Sequence, residues 1–204
     1  MNKTEQILLT IWIFIWSFPL TLFGLIASLV LIICGKKPKK WGPAIRYEFG
    51  NNWGGIEFGG CFFATDKTPD YSTMCHEVGH LLQQAYFGPI SPFIISFPSA
   101  SRYWLREMRT IKSKYIYSIL LTIIGCILFS IPLIFGILFC INWLWIFSLI
   151  LILYVLILGF WLIFIETPKY KPGNPYVYYD DFWIEGDATK RGTEFIQKYY
   201  PNIK

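Results

Sequence analysis

Residues 115–165 read YIYSILLTIIGCILFSIPLIFGILFCINWLWIFSLILILYVLILGFWLIFI, an apolar block without one charged side chain. A helix needs about 20 such residues to cross the hydrocarbon core of a bilayer, so the block is long enough for two. The natural break is Cys140-Ile141-Asn142, which gives spans over 115–140 and 142–165 joined by a very short turn. Pro132 then kinks the first of the pair, because neighbouring helices satisfy the backbone groups that a proline frees. Upstream, Ile7 to Cys34 is a second uncharged run, ending in Gly35-Lys36-Lys37. It is far longer than the apolar core of about 7–15 residues in a signal peptide, and is expected to be a membrane anchor over 7–34.

Composition agrees. Hydrophobic residues make up 54% of the chain and charged residues 15%, against roughly a quarter charged in a soluble domain. The expected fold is therefore a membrane α-helical protein with three transmembrane helices, and the segments outside them are left to form a small cytoplasmic α+β domain. Basic residues set the orientation. Lys36, Lys37, Lys39, Lys40, Arg46, Lys67, Arg102, Arg106, Arg109, Lys112 and Lys114 fall between the first and second spans, and only Lys3 and the uncharged turn face the other way. The 35–114 segment and the 166–204 tail are expected in the cytoplasm, with the N-terminus outside. The basic clusters, including the Arg102/Arg106/Arg109 stripe, read as topology signals against anionic headgroups of the lipid bilayer. No recognition module accompanies them, so no nucleic-acid partner is expected. The five cysteines (34, 61, 75, 126 and 140) do not form a disulfide framework.

Between the first two spans, Ala44 to Thr65 reads as a small antiparallel sheet with its turn at Gly50 to Gly55. A loop follows over Asp66 to Asp70, with Pro69 at a helix start and Asp70 or Ser72 as cap. The helix is expected from about Ser72 to Phe87, ended by Gly88-Pro89. Ile90 to Ala100, apolar but punctuated by Pro92 and Pro98, is expected at the membrane interface.

That helix carries His76-Glu77-Val78-Gly79-His80, which holds the only two histidines of the chain. Histidines at i and i+4 leave one helical face a turn apart, so both imidazoles reach one metal ion, and the intervening Glu77 is placed to act on a metal-bound water. Zinc is the expected cofactor, with His76 and His80 as ligands and Glu77 as general base. A catalytic zinc takes three protein ligands, so the third is a carboxylate or cysteine. In the tail, Glu185, Ala188, Thr189 and Gly192 form one helical stripe at i, i+3, i+4 and i+7, headed by Glu185. Small residues there, with Gly79 opposite, allow close approach of two helices. Two spans separate His80 from Glu185, which returns the chain to the same side. Glu185 is the favoured third ligand, with Asp187 and Asp181 as rivals.

The chain resembles a gluzincin-type zinc metallopeptidase, in which a helix with H-E-x-x-H is completed by a later helix with E-x-x-A-D; Glu185-Gly186-Asp187-Ala188 matches the first four positions. It is more similar still to a group of small bacterial multi-pass membrane proteins. Trp53-Gly54-Gly55, the His76–His80 motif with Gln83 and Gln84, Gly88-Pro89, Pro98-Ser99 and Glu185 to Ala188 stand in that group's order. The resemblance implies an inner-membrane metallopeptidase acting on a peptide or membrane-protein substrate. It departs at Thr189, where the gluzincin pattern has an aspartate that orients a histidine; threonine still accepts an imidazole N–H, and Asp187 is an alternative. Tyr176, Tyr178 and Tyr179 are candidates for stabilising an oxyanion. Two other readings stand beside this one: a scaffold in which zinc only staples the tail to the motif helix, and a zinc hydrolase of a lipid or other non-peptide bond.

Overall fold

The computed structural model describes residues 3–50, 54–65 and 71–203. The chain divides into two compact units, Met1–Phe97 with Tyr178–Lys204, and Pro98–Val177.

The first unit opens with α1 (Lys3–Trp16) and α2 (Leu20–Ile33). The run expected as one helix over 7–34 is two, bent by 100° between them. Pro19 accounts for the break: it has no N–H to give, and its ring clashes with the carbonyl four residues back. Four strands follow, β1 (Lys39–Trp41), β2 (Ala44–Glu48), β3 (Gly55–Phe58) and β4 (Cys61–Ala64), in the order β1-β2-β4-β3.

The sheet is mixed, which corrects the expected antiparallel pairing of 44–49 with 56–63. β2 pairs parallel to β4, whereas β3 and β4 form the hairpin. The reason lies in Gly59 and Gly60, at φ +57° and +93°. Positive φ at both central residues makes the tight turn that matches strand twist, so the stretch read as one strand folds back on itself. The turn expected at Gly50 to Gly55 includes residues 51–53, and the loop with Pro69 and Asp70 covers 66–70; both lie outside the described residues.

Alternation along β2 and β4 gives the sheet two faces. Ala44, Phe62 and Ala64 pack with Trp41 and with Met74, Cys75, Val78 and Leu81 of α3 (Tyr71–Phe87). Tyr47, Cys61 and Phe63 face the other way, against Phe14, Ala27 and Leu31 of the first two helices. Beyond Gly88, which ends α3 at φ +58°, the apolar segment with Pro92 and Pro98 is helical: a 3-10 turn at Gly88–Ile90, a π stretch at Pro92–Ser96, then α4 (Phe97–Glu107). Pro92 and Pro98 are tolerated because each sits in the first turn of a new helical segment, where a missing N–H breaks no bond.

In the second unit, α5 (Ile111–Leu138, with Pro132 inside it) and α6 (Asn142–Phe160) are joined by the short turn at Cys140. Two helical stretches, Ile111–Leu138 and Asn142–Tyr170, are long and apolar enough to cross a membrane, and the bent α1–α2 pair is a third only if it counts as one span. Small residues bring α5 and α6 together: a Cβ on Gly159 would fall 2.1 Å from the Thr122 hydroxyl, and one on Gly136 would fall 2.7 Å from the Trp145 nitrogen. Arg102 departs from the reading of a headgroup-facing stripe. It is 1% exposed and pairs with the buried Glu166 at 2.6 Å, because a charge leaves water only where a partner and hydrogen bonds meet it. In the tail, the first unit resumes with a 3-10 turn at Tyr179–Asp181 and α7 (Trp183–Tyr199).

Candidate metal centre

The site is made by α3 lying against α7 at backbone contact. A Cβ on Gly79 would fall 1.9 Å from the Ala188 carbonyl oxygen, and one on Gly192 would fall 1.8 Å from the Cys75 carbonyl oxygen. Neither position accepts a side chain without parting the helices. That closeness brings Glu185 to the histidines of the facing helix.

His76 and His80 meet Glu185 in a nearly equilateral group. The two Nε2 atoms are 3.1 Å apart, and Glu185 Oε2 is 3.2 Å from each. Three ligands at zinc bond lengths of about 2.0–2.1 Å in a tetrahedral site stand about 3.3–3.4 Å apart. The three atoms therefore suit one shared metal ion, which they would hold as three protein ligands while leaving room for a water. Among the described residues, this is the one group of three or more such side chains placed to share a metal ion.

The imidazoles are oriented from behind. Thr189 Oγ1 lies 2.8 Å from His76 Nδ1 and donates its own proton to Asp180 Oδ1 at 3.2 Å. His80 Nδ1 meets Gln83 Oε1 at 3.0 Å, while the Gln83 amide nitrogen donates to the Ile184 carbonyl and to Asp187 Oδ2. In both cases the partner's proton is already committed, so each histidine donates from Nδ1 and presents the Nε2 lone pair to the centre. Each imidazole is thus linked to an aspartate through one neutral group, threonine in one case and glutamine in the other. Replacing Thr189 with valine should weaken zinc binding by about 10–100-fold, read by competition with a zinc chelator, whereas Thr189→Asp should retain it.

Electrostatics follow from burial. Glu185 is 1% exposed and Glu77 7%. Burial pushes the Glu77 carboxyl up, against the pull of His80 and His76, with Glu185 adding to the rise. Burial alone would lower His80, yet the Glu185 carboxylate beside it takes it to about 9. Burial works to raise Asp187, but Arg191 at 2.6 Å and Gln83 hold it below the usual carboxylate range.

The other sequence candidates fall as follows. Asp187 stands behind Gln83, away from the ligand positions. Asp181 lies outside the group that could share a metal and accepts the Tyr178 N–H at 2.7 Å. Asp180, in the turn before α7, accepts from Thr189. Tyr179 has its ring 5.7 Å from that of His76, Tyr178 is exposed, and Tyr176 belongs to the other unit.

Sequence reasoning missed three features here. Gln83 was noted only as part of a resemblance, although its i+3 spacing from His80 puts both on one helical face. Gly55 leaves room for Glu77, since a Cβ there would fall 3.2 Å from Glu77 Oε1. Behind Glu77, Glu57 is buried on β3; it accepts the Gly60 N–H at 2.6 Å and a hydrogen bond from the Gln84 amide nitrogen. Burial, with Glu77 nearby, raises Glu57 to about 8 despite those hydrogen bonds.

A raised carboxyl pKa means that the folded chain takes up a proton. Its contribution to stability is therefore full below the ordinary value and is lost as pH rises toward the folded value. The thermal midpoint should fall between pH 4.5 and about 8 on this account. Glu57→Gln should flatten that part of the profile and lower its acid plateau, because the new amide nitrogen cannot accept from Gln84.

Comparison of the chain with protein-family models, curated proteins and solved structures finds no match.

Proposed function

We propose that this protein is a membrane-bound zinc metallopeptidase in which His76, His80 and Glu185 hold the metal and Glu77 moves the proton. The observation that carries the reading is the triangle of Nε2, Nε2 and Oε2 atoms 3.1–3.2 Å apart, with both imidazoles locked from behind. A metal that only joined two helices would not need a buried carboxylate between its histidine ligands, and Glu77 is what favours catalysis over a staple. When bound, zinc supplies acidity to a water and polarises a carbonyl.

The chain's own groups supply the rest. Glu77, with its pKa raised by burial, accepts the proton of the attacking water on a carboxylate oxygen and passes it to the departing amine nitrogen as the C–N bond breaks. Tyr179, packed against His76, is the tyrosine whose phenol best serves the developing oxyanion. Among the described residues β3 has a sheet neighbour on one side only, and Glu77 stands beside its Gly55. An extended peptide added along that edge would run past the base, which favours a peptide over a lipid substrate. The resemblance to gluzincins points the same way, and the basic residues of 35–114 favour a cytoplasmic site.

The test is cleavage of a mixed-sequence peptide library by the full chain in lipid with zinc supplied. Cleavage that a chelator stops and zinc restores supports the reading. Stoichiometric zinc without cleavage of any peptide favours the staple instead.

A further inference from the structure

The first two helices do not have the shape of a span. α1 and α2 are 14 residues each and bent by 100°, so each arm is about 21 Å long, short of the roughly 30 Å of a hydrocarbon core. Standing on its two ends, such an elbow reaches about 16 Å deep, close to one leaflet.

Its two sides differ in chemistry. The inner side holds Ile13, Ser17, Thr21, Gly24 and Ser28, all buried against the sheet and α3 or at the bend. The outer side presents Leu8, Ile15, Phe18, Phe23, Ile26 and Ile33, all exposed, with Phe18 at the tip. Lysine stands at both ends in the sequence, as Lys3 and as Lys36-Lys37.

The β3–β4 turn nests inside the elbow, where a Cβ on Gly59 would fall 2.4 Å from the Thr21 hydroxyl and one on Gly24 would fall 2.2 Å from the Phe58 carbonyl oxygen. Its polar backbone groups are met from within. Gln84 Oε1 takes the Gly59 N–H at 2.9 Å, Glu57 takes the Gly60 N–H, and the Gly60 carbonyl accepts from the Ile45 N–H at 3.0 Å. Non-helical backbone is tolerated at membrane depth only where protein satisfies it in this way. Glu57 and Gln84 thus have a role as the polar filling of a turn held out of water.

We infer that the α1–α2 elbow is a re-entrant wedge buried in one leaflet, with its outer face against lipid chains and both ends on the side of the metal cluster. The N-terminus then shares a side with His76, His80 and Glu185, contrary to the outside location expected from a 7–34 span. Lysines at both ends obey the charge bias better in this arrangement than in a crossing one. The metal centre is also held at the membrane surface, since Trp12 of α1 donates to the Ala85 carbonyl of α3 at 3.0 Å.

The test uses the full chain in native membranes, with one epitope tag at each terminus and a protease added from one side. Because the C-terminus follows α7, its tag reports the side of the site. The wedge predicts that both tags are cut together or spared together; one cut and one spared overturns it. A spin label at Phe18→Cys, with exposed Cys34 and Cys140 and half-buried Cys126 replaced by serine, reads the depth. Access to oxygen well above access to a water-soluble nickel complex is expected. Greater access to nickel, or access to neither because a second copy covers the tip, overturns the proposal. Neither readout depends on zinc, so the wedge and the metallopeptidase reading stand or fall separately.

Discussion

Gly79→Ala should leave the protein with background zinc, although the substitution touches no ligand. The added methyl would fall 1.9 Å from the Ala188 carbonyl oxygen and 2.4 Å from its carbon, which are backbone atoms that no rotamer change can move aside. α7 must shift by more than 1 Å or so for ordinary van der Waals contact to return. Glu185 rides on α7 one turn before Ala188, so the same shift carries Oε2 away from the two imidazoles. Metal coordination tolerates only about 0.2 Å in bond length, so the ligand set is lost before the fold is. Overpacking of this kind costs roughly 1–3 kcal/mol, and a lower thermal midpoint should accompany the loss. Gly192→Ala, with its Cβ 1.8 Å from the Cys75 carbonyl oxygen, should behave alike, whereas Gly173→Ala serves as a control: it has positive φ but open space around it. Zinc per chain and the thermal midpoint, measured on the three variants together, check this.

Glu77→Gln should separate chemistry from binding. The amide has nearly the shape of the carboxylate and leaves His76, His80 and Glu185 untouched, so zinc content should remain at wild type. An amide cannot take the proton of the attacking water, and loss of a positioned general base costs about 10²–10⁴-fold in rate. Peptide cleavage should fall by that factor with little change in KM, since Glu77 contributes to the reaction more than to substrate affinity. Equal cleavage by wild type and Glu77→Gln would assign the hydrolysis to another group or to a contaminant.

Much of this arrangement was legible in the sequence, for reasons that can be named. The 115–165 block is uncharged and too long for one crossing, which puts a turn near Cys140. The i, i+4 spacing of the histidines places both on one face of any helix, and the stripe Glu185, Ala188, Thr189 and Gly192 announces close packing against a glycine. What escaped depends on geometry between elements. Pro19 could kink a helix slightly or break it, and the 100° bend is set by the sheet and α3 filling the angle. Gly59-Gly60 reads equally as a bulge or a turn until both φ values are known. The partners behind the imidazoles are spread over α3, α7 and the turn before α7, so the path from His76 through Thr189 to Asp180 has no local spacing to betray it, and that from His80 through Gln83 to Asp187 shows only its first, i+3 step. Arg102 and Glu166 are 64 residues apart, and nothing in a basic stripe says which member turns inward.

If His76, His80 and Glu185 form one zinc site, removing any one of them should empty it. The most direct measurement is zinc content by elemental analysis of the full chain, purified under reducing conditions with zinc supplied, for wild type beside His76→Ala, Glu185→Ala and Glu77→Gln. The account predicts one zinc per chain in wild type and Glu77→Gln, and none in His76→Ala and Glu185→Ala. Wild type without zinc, or Glu185→Ala with its full complement, would contradict it.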